Sequence, residues 1–568
     1  MKIKLIPFIA ILSVLSLISL THAAITPEQE MRSREIQQKQ EELRKRIETP
    51  KKPIEIKEEG PVGVTLPESK EKVLIIEIEV SDAAAVSQKE IQAIILPLQN
   101  KEYTLPEMQK IADKITDTYR KKGYVTSRAY LPPQKIDKGI LQIKVIEGIT
   151  GTIEIKGNRY FKTTLLRKKI PLKEGKIFNY NKLREGLRKI NQQPDRTARA
   201  VLMAGKDPGT TDVILEVTDR FPVHLGFSWD NFGSRYIGRD RYATTFQHNN
   251  LLGQDDKLAF QYQLAESSRY FLKSINYLFP FAGFDIGASA AFSRVKLGKE
   301  LEDSDVRGKS ELYGLNINRP IYTSDNSEIA IHAGFEYTNV TNHQLQKVSS
   351  EDRMRVVKTG FDADITDYFG RTLFLYELNC GIPNIMGGLK KASATTTSSR
   401  SGAGGDFTKN TFNLLRLQKL PFSSMLLWRN QLQLSPNILT ATEQFQIGGI
   451  ANVRGYPSAE AVGDSGFATT WEWFCPVYFI PKNIKVPFSK AKLYDSIRLA
   501  AFYDLATAHL RRPLVGEEKS KTLKSAGWGI RFNLPEDLSF RIDFAWPLDN
   551  LPSDGKHLHT LVQFSKSF

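Results

Sequence analysis

The stretch ANVRGYPSAE, residues 451–460, places one cationic side chain in a glycine-rich segment. Arg454 lies between Val453 and Gly455, and Tyr456 follows. A guanidinium group can donate two parallel hydrogen bonds to one carboxylate, which would hold such a segment in a single orientation. The sequence therefore predicts either a loop tip held by an ion pair or a surface loop with a solvated arginine.

Two carboxylates are candidates for lumen-facing chemistry because they lie on strands of alternating polarity. Asp504 shares a strand face with Phe502, and Glu472 lies opposite Trp471 and Trp473. Successive strand residues point to opposite faces, so both carboxylates are predicted on the polar face of their strands. For Glu472, membership of an internal network and a solvated position on the wall remain open.

Residue patterns of catalysis are not visible in the sequence. The eight histidines are scattered, and the two cysteines, Cys380 and Cys475, show no Cys/His metal spacing. No phosphate-binding Gly-x-x-x-x-Gly-Lys-Ser/Thr motif occurs. We therefore predict that the protein is not an enzyme and has neither cofactor nor metal.

The N-terminus indicates export from the cytoplasm. Residues 1–23 combine Lys2 and Lys4 with an apolar run and a small residue, Ala23, typical of a secretory signal peptide. The net charge of +16 could attract nucleic acid, but an exported chain is expected to meet lipid headgroups or another exported polypeptide. No later run approaches the ~20 apolar residues of a membrane helix, so a membrane-embedded form must be a closed barrel.

The next segments predict a polar helix, a linker and two small modules. Residues 24–48 are rich in Glu and Gln, a composition that fits a wet cavity better than a core, and the Pro-rich, charged residues 49–71 indicate a linker. Residues 72–148 and 149–219 each read as strand, two helices and two strands. KVLIIEIEV, residues 72–80, is predicted as the first strand of the first module, and a hairpin around Asp207-Pro208-Gly209 is predicted to close the second. In the first module Thr104 and Glu107 predict a capping box at a helix start.

From residue 220 to 568 the helices vanish and strands alternate apolar and polar residues. In LSFRIDFAWPL, for example, Phe540 and Phe544 oppose Arg541 and Asp543. Charges on one face and aromatic residues on the other, strand after strand, are typical of lipid outside and water inside. The predicted fold is mainly β: a transmembrane antiparallel barrel of about 16 strands, preceded by two α/β modules and an N-terminal helix.

Several motifs resemble the outer-membrane transporters of two-partner secretion, of the haemolysin/haemagglutinin secretion-activation type. KKGYVTSRAYLPPQKIDKGILQIKVIEG resembles the family's first-module signature, and VRGY resembles the tip of its sixth outer loop. FYDLATAH and SAGWGIRFNL resemble its later strand motifs, although Ala506 stands where the family often has glycine. The resemblance covers about residues 25–568.

The resemblance implies a function and a site. It implies that 72–148 and 149–219 are polypeptide-transport-associated (POTRA) domains in the periplasm, that the barrel lies in the outer membrane, and that Arg454 pairs with Asp504 inside the lumen. The expected partners are a secreted protein such as an adhesin, haemolysin or haem-acquisition protein, outer-membrane lipid, and the barrel-assembly machinery. Helix 24–48 would plug the pore at rest. The alternative is an assembly or insertase factor of the same superfamily.

Basic residues of the second module form a further candidate site. They are predicted either to be a solvated helix face or to receive an extended substrate segment beside a sheet edge. The residues are Lys168, Lys169, Arg184, Arg188 and Lys189.

Overall fold

The computed structural model describes residues 26–58, 71–393, 397–487, 489, 491–534, 537–549 and 551–568. The predicted signal peptide, 1–23, lies outside these residues. The chain divides into two compact units. One unit holds the N-terminal helix with Val223–Leu251 and Asp256–Phe568, and the other holds Lys51–Pro222 with Leu252–Asp255.

The first described element is helix α1 (Pro27–Glu48), as the sequence predicts. Thr26 caps its N-terminus, and Gln29 completes a capping box. Because helix N-termini favour acidic and C-termini favour basic side chains, the acidic residues of its first turn and the basic residues of its last turn stabilise it further. Among the described residues no helix is long and apolar enough to cross a membrane.

The predicted linker, 49–71, is not wholly irregular, because it contains strand β1 (Ile56–Glu58). Residues 59–70 lie outside the described residues. The apolar residue that supports β1 is Ile56, which packs against the core of the second module. Composition alone indicated a linker here because a strand of only three residues leaves little periodicity to detect.

The first module packs two helices against small sheets. Its elements are β2 (Lys72–Ile75), β3 (Glu77–Ser81), α2 (Gln88–Ile95), β4 (Lys101–Thr104), α3 (Leu105–Lys121), β5 (Arg128–Tyr130) and β6 (Ile140–Ile146). Thr104 and Glu107 form the predicted capping box at the start of α3.

One prediction for this module was wrong: KVLIIEIEV is not a single strand. It divides at Ile76, since β2 pairs antiparallel with β4 whereas β3 pairs parallel with β6. The two halves serve different sheets. Strand β4, which the sequence pattern did not indicate, supplies the partner that makes this division possible.

The second module has the predicted order of elements. They are β7 (Ile149–Lys156), α4 (Thr163–Lys169), α5 (Tyr180–Asn191), β8 (Arg196–Ala204) and β9 (Thr210–Asp219). Strands β8 and β9 form the predicted hairpin, with Gly209 at φ 80° in the left-handed region that glycine tolerates. Strand β1 pairs parallel with β8, so the sheet order is β1-β8-β9-β7.

The remaining chain closes into a 16-stranded antiparallel barrel, which confirms the predicted fold. Its strands are β10 (Val223–Asp230), β11 (Arg241–His248), β12 (Lys257–Ala265), β13 (Tyr270–Phe281), β14 (Phe284–Lys296), β15 (Arg307–Thr323), β16 (Ser327–Gln344), β17 (Lys347–Asp367), β18 (Gly370–Gly381), β19 (Thr408–Lys419), β20 (Met425–Leu434), β23 (Ser465–Pro476), β24 (Ile497–His509), β25 (Ser520–Leu534), β26 (Leu538–Pro547) and β27 (His559–Ser567). A small hairpin, β21 (Phe445–Ile447) and β22 (Ala461–Gly463), lies in the connection from β20 to β23, and a short helix, α6 (Leu493–Ser496), lies before β24. Strand β10 pairs with β27 to complete the closure.

Burial alternates along the strands as expected of a wall between two media. On β23, Trp471 and Trp473 are 41% and 45% exposed, whereas Glu472 between them is 0% exposed. The strand count is even, so β10 starts and β27 ends at the same end of the barrel, called here the near end. The long connections 297–306, 382–407 and 435–464 lie at the opposite end, called here the loop end.

Two polar segments, LGKELEDSDVRGKSE (297–311) and KKASATTTSSRSGAGGDFTKN (390–410), are predicted from the sequence as outer loops, but strands extend into both. Arg307 begins β15 and Thr408 begins β19, so the end of each polar segment is paired backbone rather than loop. Polar composition indicated loops, but strands that rise beyond a membrane are also polar. Cys380 and Cys475 are free thiols, each partly exposed.

Candidate functional site

The loop between β20 and β23 folds into the lumen, and its hairpin β21–β22 orients its tip. Gly448 and Gly449 have φ of 109° and 76°, values that side-chain-bearing residues rarely adopt, and they turn the chain toward the barrel interior. Asn452 stabilises this turn, since its Oδ1 accepts from the Gly448 amide at 2.8 Å and its Nδ2 donates to the Gln446 carbonyl at 2.9 Å.

Arg454 at the loop tip is 0% exposed and bonds to Asp504 of β24. Its Nε and Nη2 donate to the two carboxylate oxygens of Asp504, each at 2.8 Å, and its backbone amide donates to Oδ2 at 3.1 Å. The guanidinium carbon also lies 3.4 Å from the centre of the Phe502 ring. Three hydrogen bonds and a stacked ring fix both the position and the orientation of the loop tip.

A wider charge network surrounds this pair. Glu472 is fully buried, accepts from Arg531 Nη2, and has its Oε2 3.3 Å from Arg454 Nη1. Glu472 therefore belongs to an internal network rather than to a solvated wall. Asp543 Oδ1 lies 2.6 Å from Arg531 Nη1, and Arg541 Nε donates to Asp543 Oδ2 at 2.7 Å. Buried guanidinium groups and carboxylates thus face one another, as buried charges require, and Arg429 adds a further buried positive charge beside them.

Packing around the loop tip leaves no room for larger side chains. A Cβ on Gly455 would lie 2.8 Å from both the Pro547 nitrogen and Ser525 Cβ. Val453 and Tyr456, 0% and 2% exposed, pack in an apolar cluster of the loop and the wall. Ala506, where the resemblance leads one to expect glycine, is 0% exposed in that same cluster, and its methyl group fills the space.

Helix α1 lies inside the barrel and contacts both the loop and the wall. Gln37 Nε2 donates to Ser458 Oγ of the loop at 3.0 Å, and Gln40 Nε2 donates to Asn413 Oδ1 of β19 at 3.0 Å. Arg44 Nη2 lies 3.8 Å from Glu472 Oε1, so the helix touches the charge network.

The helix spans the lumen from one end to the other. Met31 joins an apolar cluster of β13 and β14, and Leu43 and Ile47 join one that includes Phe474. At about 1.5 Å per residue, its 22 residues extend about 33 Å, comparable with the hydrocarbon thickness of a membrane.

Some ionic groups of the helix pair within the helix, and others lie close to carboxylates of the wall. The ion pairs within the helix are Arg34–Glu30 at 2.8 Å, Arg32–Glu35 at 2.9 Å and Arg44–Glu48 at 2.8 Å. Arg46 instead reaches the wall, 3.6 Å from Asp362 and 3.9 Å from Asp364. The facing wall does the same, with pairs Lys358–Glu336 at 2.6 Å, Arg371–Asp364 at 2.7 Å and Lys409–Glu443. Helix and wall therefore each neutralise part of their own charge, and Arg44 and Arg46 add weaker contacts between the two.

The matches of this sequence to protein-family models follow the boundaries between the two modules and the barrel. Residues 209–485 match the model of the haemolysin secretion/activation protein ShlB/FhaC/HecB. Residues 73–148 match the ShlB-type POTRA domain, and residues 149–197 match the POTRA model described as a surface antigen variable number repeat. The chain belongs to the two-partner secretion transporters.

Curated relatives of this transporter match it over most of their length. The heme/hemopexin transporter protein HuxB of Haemophilus influenzae (strain 86-028NP) is 25% identical over 491 residues, which covers 81% of each chain. The outer membrane transporter CdiB of Dickeya dadantii (strain 3937) is 23% identical over 402 residues, covering 69% of this chain and 70% of that one. These matches favour secretion over the insertase alternative and place the transporter in the outer membrane, with its POTRA domains in the periplasm.

Among solved structures, CdiB from Escherichia coli has the same fold. It superposes with a TM-score of 0.76 at 19% identity, covering 96% of this transporter and 100% of that chain.

The two ends of the barrel can now be assigned to compartments. The POTRA domains of this family are periplasmic, and β10 follows the second POTRA domain directly along the chain. Because β10 starts at the near end, that end is periplasmic, and the loop end faces the cell exterior.

The five basic POTRA residues of this transporter do not form one uniform free face. Lys169 Nζ lies 2.6 Å from Asp255, and Lys189 pairs with Glu185 at 2.6 Å. Arg184 stacks on Tyr180, with its guanidinium carbon 5.9 Å from the ring centre, and Arg188 is half-buried. Lys168 is exposed.

Asp255, in the connection between β11 and β12, lies beside two cations of the second POTRA domain. Burial would raise the pKa of Asp255, but hydrogen bonds and positive charge from Arg196 and Lys169 outweigh burial and lower it. Arg196 binds both carboxylate oxygens, at 2.6 and 2.7 Å. Lys169 thus has a structural partner, whereas Lys168 is exposed to solvent.

Sequence reasoning did not assign Arg531, Arg541 and Asp543 to the site. The alternation of polar and apolar residues places these three side chains on the inner face of the barrel. It does not give their positions along the barrel axis. The register Gly529↔Asp543 and Arg531↔Arg541 brings them level with the loop tip. Among the described residues, no group of His, Cys, Asp and Glu is arranged to hold a metal ion.

Proposed function

We propose that the protein binds an unfolded secreted partner through its POTRA domains and passes it through the barrel lumen to the cell surface, with α1 as a removable plug. The observation that carries this proposal is a closed barrel whose lumen holds a separate polar helix beside the inward-folded loop. A lumen built this way becomes a passage when one element leaves.

The pairing of charges supports withdrawal of the helix. Separating two surfaces that share buried ion pairs would strand charges, each at a cost of about 3–5 kcal/mol. Here the helix keeps Arg34–Glu30 and the wall keeps Arg371–Asp364 after separation. Withdrawal breaks neutral side-chain hydrogen bonds, at about 1 kcal/mol each, and the contacts of Arg44 and Arg46 with wall carboxylates at 3.6–3.9 Å, whose charges water in the lumen can solvate.

The Arg454 network supports a fixed loop during passage. It holds the loop by wall residues of β23 to β26, none of which lies on the helix. Withdrawal of α1 therefore removes the 3.8 Å contact of Arg44 with Glu472 but leaves the Arg454–Asp504 bonds in place. The loop then remains part of the wall while the helix moves.

The partner is an extended polypeptide of the kind that the family exports. The names of the relatives point to heme/hemopexin for HuxB and haemolysin for ShlB, so an adhesin, a haemolysin or a haem-acquisition protein fits this transporter. The barrel-assembly machinery would insert the barrel itself. Nucleic acid is not an expected partner of an exported chain.

A tether between helix and wall tests the plug. In a chain with Cys380→Ser and Cys475→Ser, the substitutions Gln40→Cys and Asn413→Cys place thiols where the 3.0 Å hydrogen bond now lies. A short thiol crosslinker should then block secretion of the partner into the medium, and a reducible crosslinker should restore secretion after reduction.

A matched control uses the same crosslinking reaction but does not connect the helix to the wall. Gln38→Cys with Glu42→Cys places both thiols on the helix, so crosslinking them should leave secretion unchanged. Full secretion from the crosslinked Gln40–Asn413 variant would show that the helix does not have to leave the lumen.

A further inference from the structure

A basic groove lies on the outer wall of the barrel, where β15, β16 and β17 rise toward the loop end. It encloses about 270 Å³ and is lined by Lys309, Arg353 and Arg355, with Met386 from the connection after β18 closing one side. These side chains share their strand faces with outward-pointing apolar residues. On β15, for example, Tyr313 and Leu315 are 43% and 62% exposed.

The height of the groove matches the outer edge of the membrane. Lys309 and Arg319 are the basic residues that bracket the apolar outward face of β15. The strand between them is about 33 Å long at ~3.3 Å per residue, which at a tilt of ~40° gives about 25 Å along the membrane normal. That is the height of the apolar band of an outer-membrane barrel, so Lys309 lies at the headgroups of the outer leaflet.

Aromatic residues mark the same boundary. Tyr313 and Tyr337 lie directly across from each other on β15 and β16, with ring centres 5.8 Å apart. Tyrosine concentrates at membrane–water interfaces because its ring is apolar and its hydroxyl is polar. Tyr337 itself lines the groove, which extends from this pair toward the loop end.

Positive charge in the groove exceeds what nearby carboxylates neutralise. Arg355 is 1% exposed, and its guanidinium donates only to backbone carbonyls, including those of Met354 and Met386 at 2.7 and 2.8 Å. Arg353 pairs with Glu351 at 2.7 Å. The other acidic residue of the groove is Glu311.

The neighbouring strand adds another cation. Arg294 of β14 lies directly across from Lys309, and both are exposed. Neither forms an ion pair among the described residues. Like charges in directly opposed positions destabilise a sheet, unless an anion lies between them.

We propose that this surface binds the phosphorylated sugar headgroup of lipopolysaccharide, the glycolipid of the outer leaflet. A phosphate group lies between Lys309 and Arg294, and sugar hydroxyls enter the groove toward Arg353. Arg355 contributes buried positive charge beneath them. The acyl chains then lie along Leu315 and the other apolar residues that face outward below the groove.

Retention of a defined lipid by the purified full-length protein tests this site. Native mass spectrometry of the protein in detergent, with added bisphosphorylated lipid A, should show one retained lipid. Lys309→Gln combined with Arg294→Gln should weaken binding about tenfold or more, since hydrogen bonds between charged groups are lost. Glu311→Gln should strengthen it.

Arg319→Gln is the matched control, because it removes an exposed cation from the same strand at the periplasmic end. It should leave lipid A binding unchanged, and heat-modifiable migration should show that every variant is folded. Equal loss of binding in Arg319→Gln would overturn the proposal. So would equal binding of dephosphorylated lipid A, or of phosphatidylglycerol, to the unmodified protein.

Discussion

At the scale of single residues, the interior depends on a close match of charges. Arg454, Arg531 and Arg541 face Asp504, Glu472 and Asp543, and none of the six is more than 8% exposed. Removing one member leaves a buried charge without its partner, which costs about 3–5 kcal/mol. The residues of this network are therefore expected to respond sharply to substitution.

Replacing Arg454 with alanine should free the loop tip and reduce export of the partner strongly. The substitution removes both side-chain bonds to Asp504 and takes away one of the cations that face Glu472 and Asp543. The barrel itself should persist, because its strands pair without the loop. Secretion into the medium measures the first effect, and heat-modifiable migration measures the second.

The substitution Arg454→Lys distinguishes the effect of the positive charge from the effect of the paired hydrogen bonds to Asp504. Lysine retains the positive charge but cannot donate two parallel hydrogen bonds, so export should be intermediate. Arg498→Ala serves as control, since Arg498 lies on the same strand as Asp504 and donates to the Ser423 carbonyl outside the network. Normal export from Arg454→Ala would contradict the role assigned to the pair.

At the scale of elements, the occupied edge of the second POTRA sheet has a functional consequence. β1 pairs with β8 through only three residues, with Ala200 donating to the Glu55 carbonyl at 3.0 Å. A sheet edge that a three-residue strand covers can accept another extended segment once that strand leaves. The linker and an extended partner segment are therefore expected to compete for one edge.

Lys57→Pro should uncover this edge. Proline lacks an amide hydrogen and cannot extend a ladder, so β1 should detach from β8. An extended peptide of the partner should then bind the full-length protein more tightly, as measured by fluorescence anisotropy. Lys57→Ala keeps the amide and should bind as the unmodified protein does. Equal affinity in both variants would place the partner elsewhere.

At the scale of the whole molecule, the barrel forms a closed wall and helix α1 occupies its lumen. Because every barrel strand has two neighbours, the wall does not need the helix to satisfy its backbone. The helix supplies only lumen contacts, at Met31 near one end and Ile47 near the other. Wall and helix are therefore expected to be separable.

Deletion of residues 27–48 should raise single-channel conductance in planar bilayers while the barrel remains folded. It removes the element that fills the lumen, so ions have a continuous aqueous path. Deletion of residues 72–148, which leaves helix and barrel intact, is the control and should change conductance little. Unchanged conductance without the helix would mean that another element closes the pore.

The sequence by itself determined which residues of the barrel wall face lipid and which face the lumen. Alternation at period two fixes whether each strand residue faces lipid or lumen, and this is a local property of the backbone. Trp471, Glu472 and Trp473 were therefore assigned to their faces correctly. The polar composition of α1 likewise excluded an apolar core, and element order identified the second POTRA domain.

Only the tertiary structure decided which residues meet. The height of a lumen residue depends on the register between strands, a pairing between distant segments that alternation does not encode. The sequence consequently gave no sign that Asp543 and Arg531 lie beside Arg454. Strand β1 was likewise not predicted, because its stability comes from pairing with β8 rather than from its own residues. The face to which a strand side chain points follows from the local alternation of the backbone. Which side chains meet in the lumen depends instead on how the whole sheet closes.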